Sequence, residues 1–147
     1  MKNKKMVLLF MIIISLNVNA QFAGVSVINK GLGVNAGILT NKVVIQAALT
    51  FPIINLENAN TYSLSAGYQL NITNDDKDNY SFTPLIGAAR IRSRTWNAKD
   101  AMSVQQSIKA MYGAEFGKDA YMGRVFINAN YSDALYYGIG MKVFFNR

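Results

Sequence analysis

The chain has no histidine and no cysteine among its 147 residues. Without histidine there is no Ser-His-Asp arrangement and no imidazole ligand for zinc. Without cysteine there is no thiol nucleophile and no disulfide, the staple that many small exported soluble domains use. Prolines number 2, tryptophans 1, and charged residues make up 16% of the chain. No nucleophile stands beside a recognisable general base, so the chain reads as non-enzymatic and without cofactor. The acidic run Asn74-Asp75-Asp76-Lys77-Asp78-Asn79 does not supply a metal site. A calcium loop of the EF-hand type needs glutamate at position twelve. Counted from Asn74, Asp75 or Asp76, that position holds Leu85, Ile86 or Gly87. The run reads as a solvated turn. No apolar stretch after residue 20 reaches the ~20 residues of a membrane-crossing helix.

What is present begins with an export signal. Lys2, Lys4 and Lys5 precede the apolar run Met6 to Leu16, and Val18-Asn19-Ala20 follows. A basic start, a short greasy middle and a small-residue site make a cleavable signal peptide, residues 1–20. Residues 21–147 then form one domain. Removing the signal takes away three basic residues and leaves a net charge of +4.

The rest alternates with period two, the signature of two-faced strands. Leu135, Tyr137, Ile139, Met141, Val143 and Phe145 share one face near the carboxyl end. Tyr136, Gly138, Gly140, Lys142 and Phe144 share the other. The pattern predicts eight strands, at about 22–28, 32–39, 43–51, 62–72, 80–92, 108–116, 121–131 and 135–145. Tight turns are expected at 40–42 and 117–119, and the longest loop at 93–107. Pro84 interrupts the fifth strand, because proline cannot donate to a ladder. No helical apolar stripe competes.

The faces separate two barrel types. An arginine or lysine facing lipid at mid-bilayer costs about 2–4 kcal/mol. The apolar face carries no charge on strands two, three, four, six, seven and eight, whereas a water-facing surface has no reason to shed charge. Tyr62, Tyr121, Tyr131, Tyr137 and Phe145 lie near strand ends, where aromatic girdles sit. The reading is therefore all-β: an eight-stranded antiparallel up-and-down transmembrane barrel. Both termini are expected on the periplasmic side. The alternatives are a soluble periplasmic or secreted barrel holding an apolar ligand, and a narrow solute channel.

On this pattern, residues 22–147 resemble the small eight-stranded outer-membrane β-barrel proteins of Gram-negative bacteria. The resemblance implies residence in the outer membrane, contact with its lipid and lipopolysaccharide, and insertion by the barrel assembly machinery. Members of that family usually end in an aromatic residue; here Phe144-Phe145 is followed by Asn146-Arg147. The segment Lys30 to Ile38 is also similar to the start of a conjugative-transposon family called TraO, which implies a conjugation-accessory role.

Two constellations stand out. Lys109, Glu115, Arg124 and Lys142 fall on the polar face and are expected to meet inside the barrel. An eight-stranded barrel is just filled by its own side chains, so they read as a lumen charge network rather than an ion path. Glu115 cannot neutralise three cations, so Tyr136, Asn128, water or acidic loops should assist. Arg90, Arg92, Arg94 and Trp96 recur every second residue and share one edge of an extended segment. Arginine grips phosphate bidentately and tryptophan favours the interface. This edge is expected at the outer rim, against lipopolysaccharide phosphates or an external protein partner. No second basic stripe supports nucleic-acid binding.

Overall fold

The computed structural model describes residues 20–53, 60–73, 79–121 except 97–101, and 123–145; the side chains of 94–96 and 102 are not described. The strands are β1 (Ala20–Ile28), β2 (Gly31–Thr40), β3 (Val43–Pro52), β4 (Asn60–Tyr68, resuming at Leu70–Asn71), β5 (Tyr80–Trp96), β6 (Met102–Ala120), β7 (Gly123–Tyr131) and β8 (Leu135–Phe145). Each pairs antiparallel with its sequence neighbour, and β1 pairs with β8, so the sheet closes without an edge. Closure leaves no strand of the wall with an unpaired edge, which an apolar surrounding demands.

Local chemistry sets the turns and the one break. Asn41 and Lys42 take φ of 46° and 72° between Thr40 and Val43. Two left-handed residues make the hairpin turn whose twist suits flanking strands. Pro84 directs its carbonyl toward Gly67 of β4. In an antiparallel strand a residue's nitrogen faces the same edge as its carbonyl oxygen, and here that nitrogen has no hydrogen to donate. The β4 ladder toward β5 is accordingly interrupted at Gln69; on the other edge the Gln69 N–H donates to the Lys42 carbonyl at 2.7 Å.

Several strand ends differ from the sequence expectation. Residues 93–96 and 102–107 are strand rather than loop: β5 and β6 remain paired as far as Trp96 and Met102, a long hairpin whose 97–101 lie outside the described residues. Serine, arginine and glutamine suggest a loop by composition, yet each β5 residue finds a partner on β6. The Gly117-Lys118-Asp119 turn is also absent, since these residues pair with Phe126, Val125 and Arg124 and β6 continues to Ala120. The acidic run 74–78 and residues 1–19 lie outside the described residues.

The alternation resolves into an apolar outside and a mixed inside. Val25, Leu64, Ile86, Ile127 and Ile139 point outward and are more than half exposed. Outward positions between the rims carry no charged side chain. Tyr68, Tyr121 and Phe145 ring the end that carries the termini, and Phe51, Tyr62, Tyr112 and Tyr131 ring the opposite end. Inside, Phe22, Val44 and Phe144 form a small apolar cluster at the terminal end, joined by Ala20 in the uncleaved chain. Glycines make room for the rings. A Cβ on Gly140 would stand 2.5 Å from Phe126, which is 1% exposed.

Candidate functional site: a plugged lumen and an arginine-bearing hairpin

The lumen is crossed by two buried ion pairs. Lys142 on β8 places Nζ 2.7 and 2.6 Å from the two carboxylate oxygens of Glu115 on β6. Its third donor goes to Gln46 Oε1 of β3 at 3.1 Å. The ammonium also lies 4.6 Å from the centre of the Phe22 ring and 4.9 Å from that of Phe126. All three ammonium protons thus have acceptors, and two aromatic faces cover the remaining surface.

Nearer the terminal end, Arg124 donates Nε to Asp119 Oδ1 at 2.6 Å and Nη1 to Gln69 Oε1 at 2.8 Å. Its guanidinium lies 5.3 Å from the Phe144 ring centre. Two cations therefore meet two carboxylates, and the lumen is locally neutral. Burying either charge alone would cost several kcal/mol; pairing with added hydrogen bonds is what makes this arrangement tenable.

Above Glu115 the lumen turns polar and uncharged. Asn35 Oδ1, Thr61 Oγ1, Asn128 Oδ1 and Asn130 Oδ1 are buried there without a protein partner. They line a cavity of ≈ 60 Å³ whose lining stops at Gln46 and Glu115. That size suits about two waters at ~30 Å³ each, and the polar wall supplies their partners. An apolar ligand does not suit it. The soluble-carrier alternative needs greasy residues inside, and the greasy residues face out.

Three of the four expected lumen charges are buried: Glu115, Arg124 and Lys142. Lys109 is exposed and takes no part. It shares their parity, but the last β6–β7 pair is Tyr112 with Tyr131. Lys109 therefore lies past the end of β7, paired with Ala89 of β5 on one edge and with no β7 residue on the other. Asn128 Oδ1, expected to assist, has no protein partner. Tyr136 donates to Asp133 Oδ1 at 3.0 Å instead. Asp119, Gln46 and Gln69 do that work and went unassigned in the sequence reading. Their parity was the available signal, since all three fall on the polar face.

The arginine edge lies on the long hairpin. Arg90 and Arg92 point outward from β5, opposite Ile108 and Gln106 of β6 and Tyr62 and Asn60 of β4. Arg90 donates Nη2 to Gln106 Oε1. Arg92 Nε has no protein acceptor. Neither arginine faces a carboxylate across the described ladders. Arg94 continues the strand opposite Val104, and Trp96 pairs with Met102. The β4 ladder ends at Arg92 and the β7 ladder at Tyr112, so the hairpin beyond them projects past the barrel rim.

No protein-family model and no curated protein matches the chain, which leaves the TraO resemblance without support. Solved structures do match. The N-terminal β-barrel domain of OprF from Pseudomonas aeruginosa is 16% identical, with a TM-score of 0.62 over 87% of this chain and 98% of that one. Ail of Yersinia pestis, in complex with the heparin analogue sucrose octasulfate, is 13% identical with a TM-score of 0.55, covering 86% of this chain and 96% of that one. Neisserial surface protein A is 11% identical with a TM-score of 0.55, covering 86% and 95%. The chain has the closed eight-stranded fold of small outer-membrane β-barrels.

Proposed function

We propose that this chain is a non-enzymatic outer-membrane barrel, exported through a cleaved signal at residues 1–20, that presents the β5–β6 hairpin on the cell's outer side. One observation carries the reading. An uncharged apolar band between two aromatic rims ends, on a single strand face, in Arg90 and Arg92. Ile86 and Ala88 lie in the band, and the arginines follow two and four residues beyond Ala88. At ~3.3 Å per residue, they stand at the height where hydrocarbon gives way to headgroups. Phosphate is the group that a bidentate donor meets there.

On this reading the hairpin contacts lipopolysaccharide phosphates, with Arg94 and Trp96 extending the same edge. The sulfated ligand in the Ail complex supports an anionic partner for a barrel of this fold. The buried ion pairs support a scaffold rather than a channel, because side chains fill the cross-section that a solute would need.

Membrane fractionation and lipopolysaccharide capture test the reading together. The chain should resist carbonate extraction and run with heat-modifiable mobility. The double variant Arg90→Ala/Arg92→Ala should insert normally yet hold less lipopolysaccharide, with the difference shrinking at high salt. Release of the native chain by carbonate would remove the membrane assignment. Equal lipopolysaccharide retention by the variant would remove the phosphate assignment.

A further inference from the structure

The outer wall is not uniformly convex. A groove of ≈ 760 Å³ runs down it from the end of β1 across β8, β7 and β6 to β5. Its floor is made by two small residues, Ala114 and Ala129, which are direct cross-strand partners. Its walls are Phe82, Phe116, Ile127 and Tyr137. Small residues set between large ones leave a channel where their neighbours stand proud. The volume falls within the ~300–1,000 Å³ of small-molecule sites, and the walls are almost wholly apolar.

Just past the foot of this groove, beyond its last lining residues Phe82 and Phe116, stands a cation. Phe116 stacks on Tyr80 with ring centres 5.8 Å apart. The ammonium of Lys118 lies 5.1 Å over the Tyr80 ring. Lys118 is exposed and points outward, two residues past Phe116 toward the end with the termini. Tyr121 stands fully exposed at the same rim. An apolar trough, an interfacial aromatic and an outward cation follow one another in that order. A glycerophospholipid has the matching sequence of acyl chain, glycerol and phosphate.

The opposite end of the groove does not offer the same match. Lys30, the nearest cation there, lies over the ring of Tyr136, an inward-facing residue, and acts electrostatically on Asp133. Its charge is turned to the mouth of the lumen rather than to the outer wall.

We infer that this groove holds one anionic phospholipid of the inner leaflet, its acyl chain on Ala114 and Ala129 and its phosphate at Lys118. The inference rests on the membrane reading above, and it adds a discrete lipid to the general lipid contact of the wall. The site selects by charge at Lys118 and by fit at the two alanines, so two kinds of substitution should each empty it.

Native mass spectrometry of the detergent-folded full chain tests it, with dioleoyl phosphatidylglycerol and dioleoyl phosphatidylcholine as probes. The native protein should keep one phosphatidylglycerol, at least fivefold over phosphatidylcholine. Lys118→Gln should abolish that preference, and Ala129→Phe should reduce retention of both lipids at least fivefold. Lys30→Gln should change neither. Heat-modifiable mobility checks that each variant has folded, and Ala114→Phe replaces Ala129→Phe if the latter does not fold. Overturning results are the absence of a one-to-one lipid adduct, equal retention by the groove-filling variant, or loss of the preference in Lys30→Gln rather than Lys118→Gln. A native chain that folds with heat-modifiable mobility but keeps no lipid overturns this inference alone. A native chain that never folds into detergent overturns the membrane reading beneath it.

Discussion

Removing one member of the Lys142–Glu115 pair should cost more than removing both. The pair is 4% and 5% exposed at its side chains, so solvent screens it little. Breaking a buried pair by deleting one partner costs about 3–5 kcal/mol. The two deletions are not equivalent. Glu115 takes both of its bonds from Lys142, so Lys142→Met strands a carboxylate with no other donor among the described residues. Glu115→Gln leaves the ammonium with Gln46 and two rings. Lys142→Met should therefore fall in the ~3–5 kcal/mol range, Glu115→Gln below it, and the double variant below Lys142→Met alone. At a urea slope of ~2 kcal/mol per molar, the first corresponds to a midpoint lowered by about 2 M. Urea titration in lipid vesicles, followed by far-ultraviolet circular dichroism and heat-modifiable mobility, measures all four proteins of the cycle. Contacting residues show coupling of about 0.5–3 kcal/mol. Strictly additive losses, or a Lys142→Met variant as stable as the native chain, would refute the argument that these charges hold each other in the lumen.

Two further outcomes follow from neighbouring geometry. Ile127 faces outward and Asn128 faces the lumen on adjacent positions of β7, so Ile127→Arg should lose about 2–4 kcal/mol through lipid exposure and Asn128→Arg less; equal folding yields in vesicles would contradict the facing. Asp133, in the turn between β7 and β8, is opposed by partial burial, which raises its carboxyl, but hydrogen bonds from Ser132 and Tyr136 outweigh that and hold it below the ordinary aspartate value. A depressed carboxyl stabilises the turn above the unfolded value and loses that effect as pH falls through the folded one. Carboxyl-carbon NMR should therefore give a low midpoint that rises in Tyr136→Phe; a native midpoint at or above the ordinary value would reject the hydrogen bonds.

The faces of the strands were legible from sequence, and the ends of the strands were not. Facing follows from parity, which is local: once Ile127 is outward, Asn128 must be inward. An end depends on whether a partner strand reaches that far. Lys109 and Glu115 have the same parity, yet only Glu115 lies where β7 still runs alongside. Ser93 to Ser107 has the composition of a loop, and only the pairing of 93–96 and 102–107 shows those residues as strand. Register around the barrel is equally non-local. Gln46 bonds Lys142 across 96 residues of sequence, a meeting set by the stagger of eight strands rather than by any motif. Asp119 and Arg124 are different, being opposite one another across a single hairpin. Their pairing becomes readable once the turn is placed after Ala120, but Gly117-Lys118-Asp119 has turn-like composition and displaces it.

The plugged lumen and the projecting hairpin bear on the same question. Phe126, Lys142 and Glu115 meet across the lumen with Phe22 over the ammonium, and Arg124 with Phe144 packs beside them. Moving a solute through would require parting two buried ion pairs, each at several kcal/mol. The exterior has no such barrier. The hairpin extends past the last β4 and β7 pairs, and an outward cation stands at each end of the apolar band, Arg90 at one and Lys118 at the other. A barrel whose interior is spent on holding itself together leaves its wall and its projecting hairpin as the surfaces that recognise anything else.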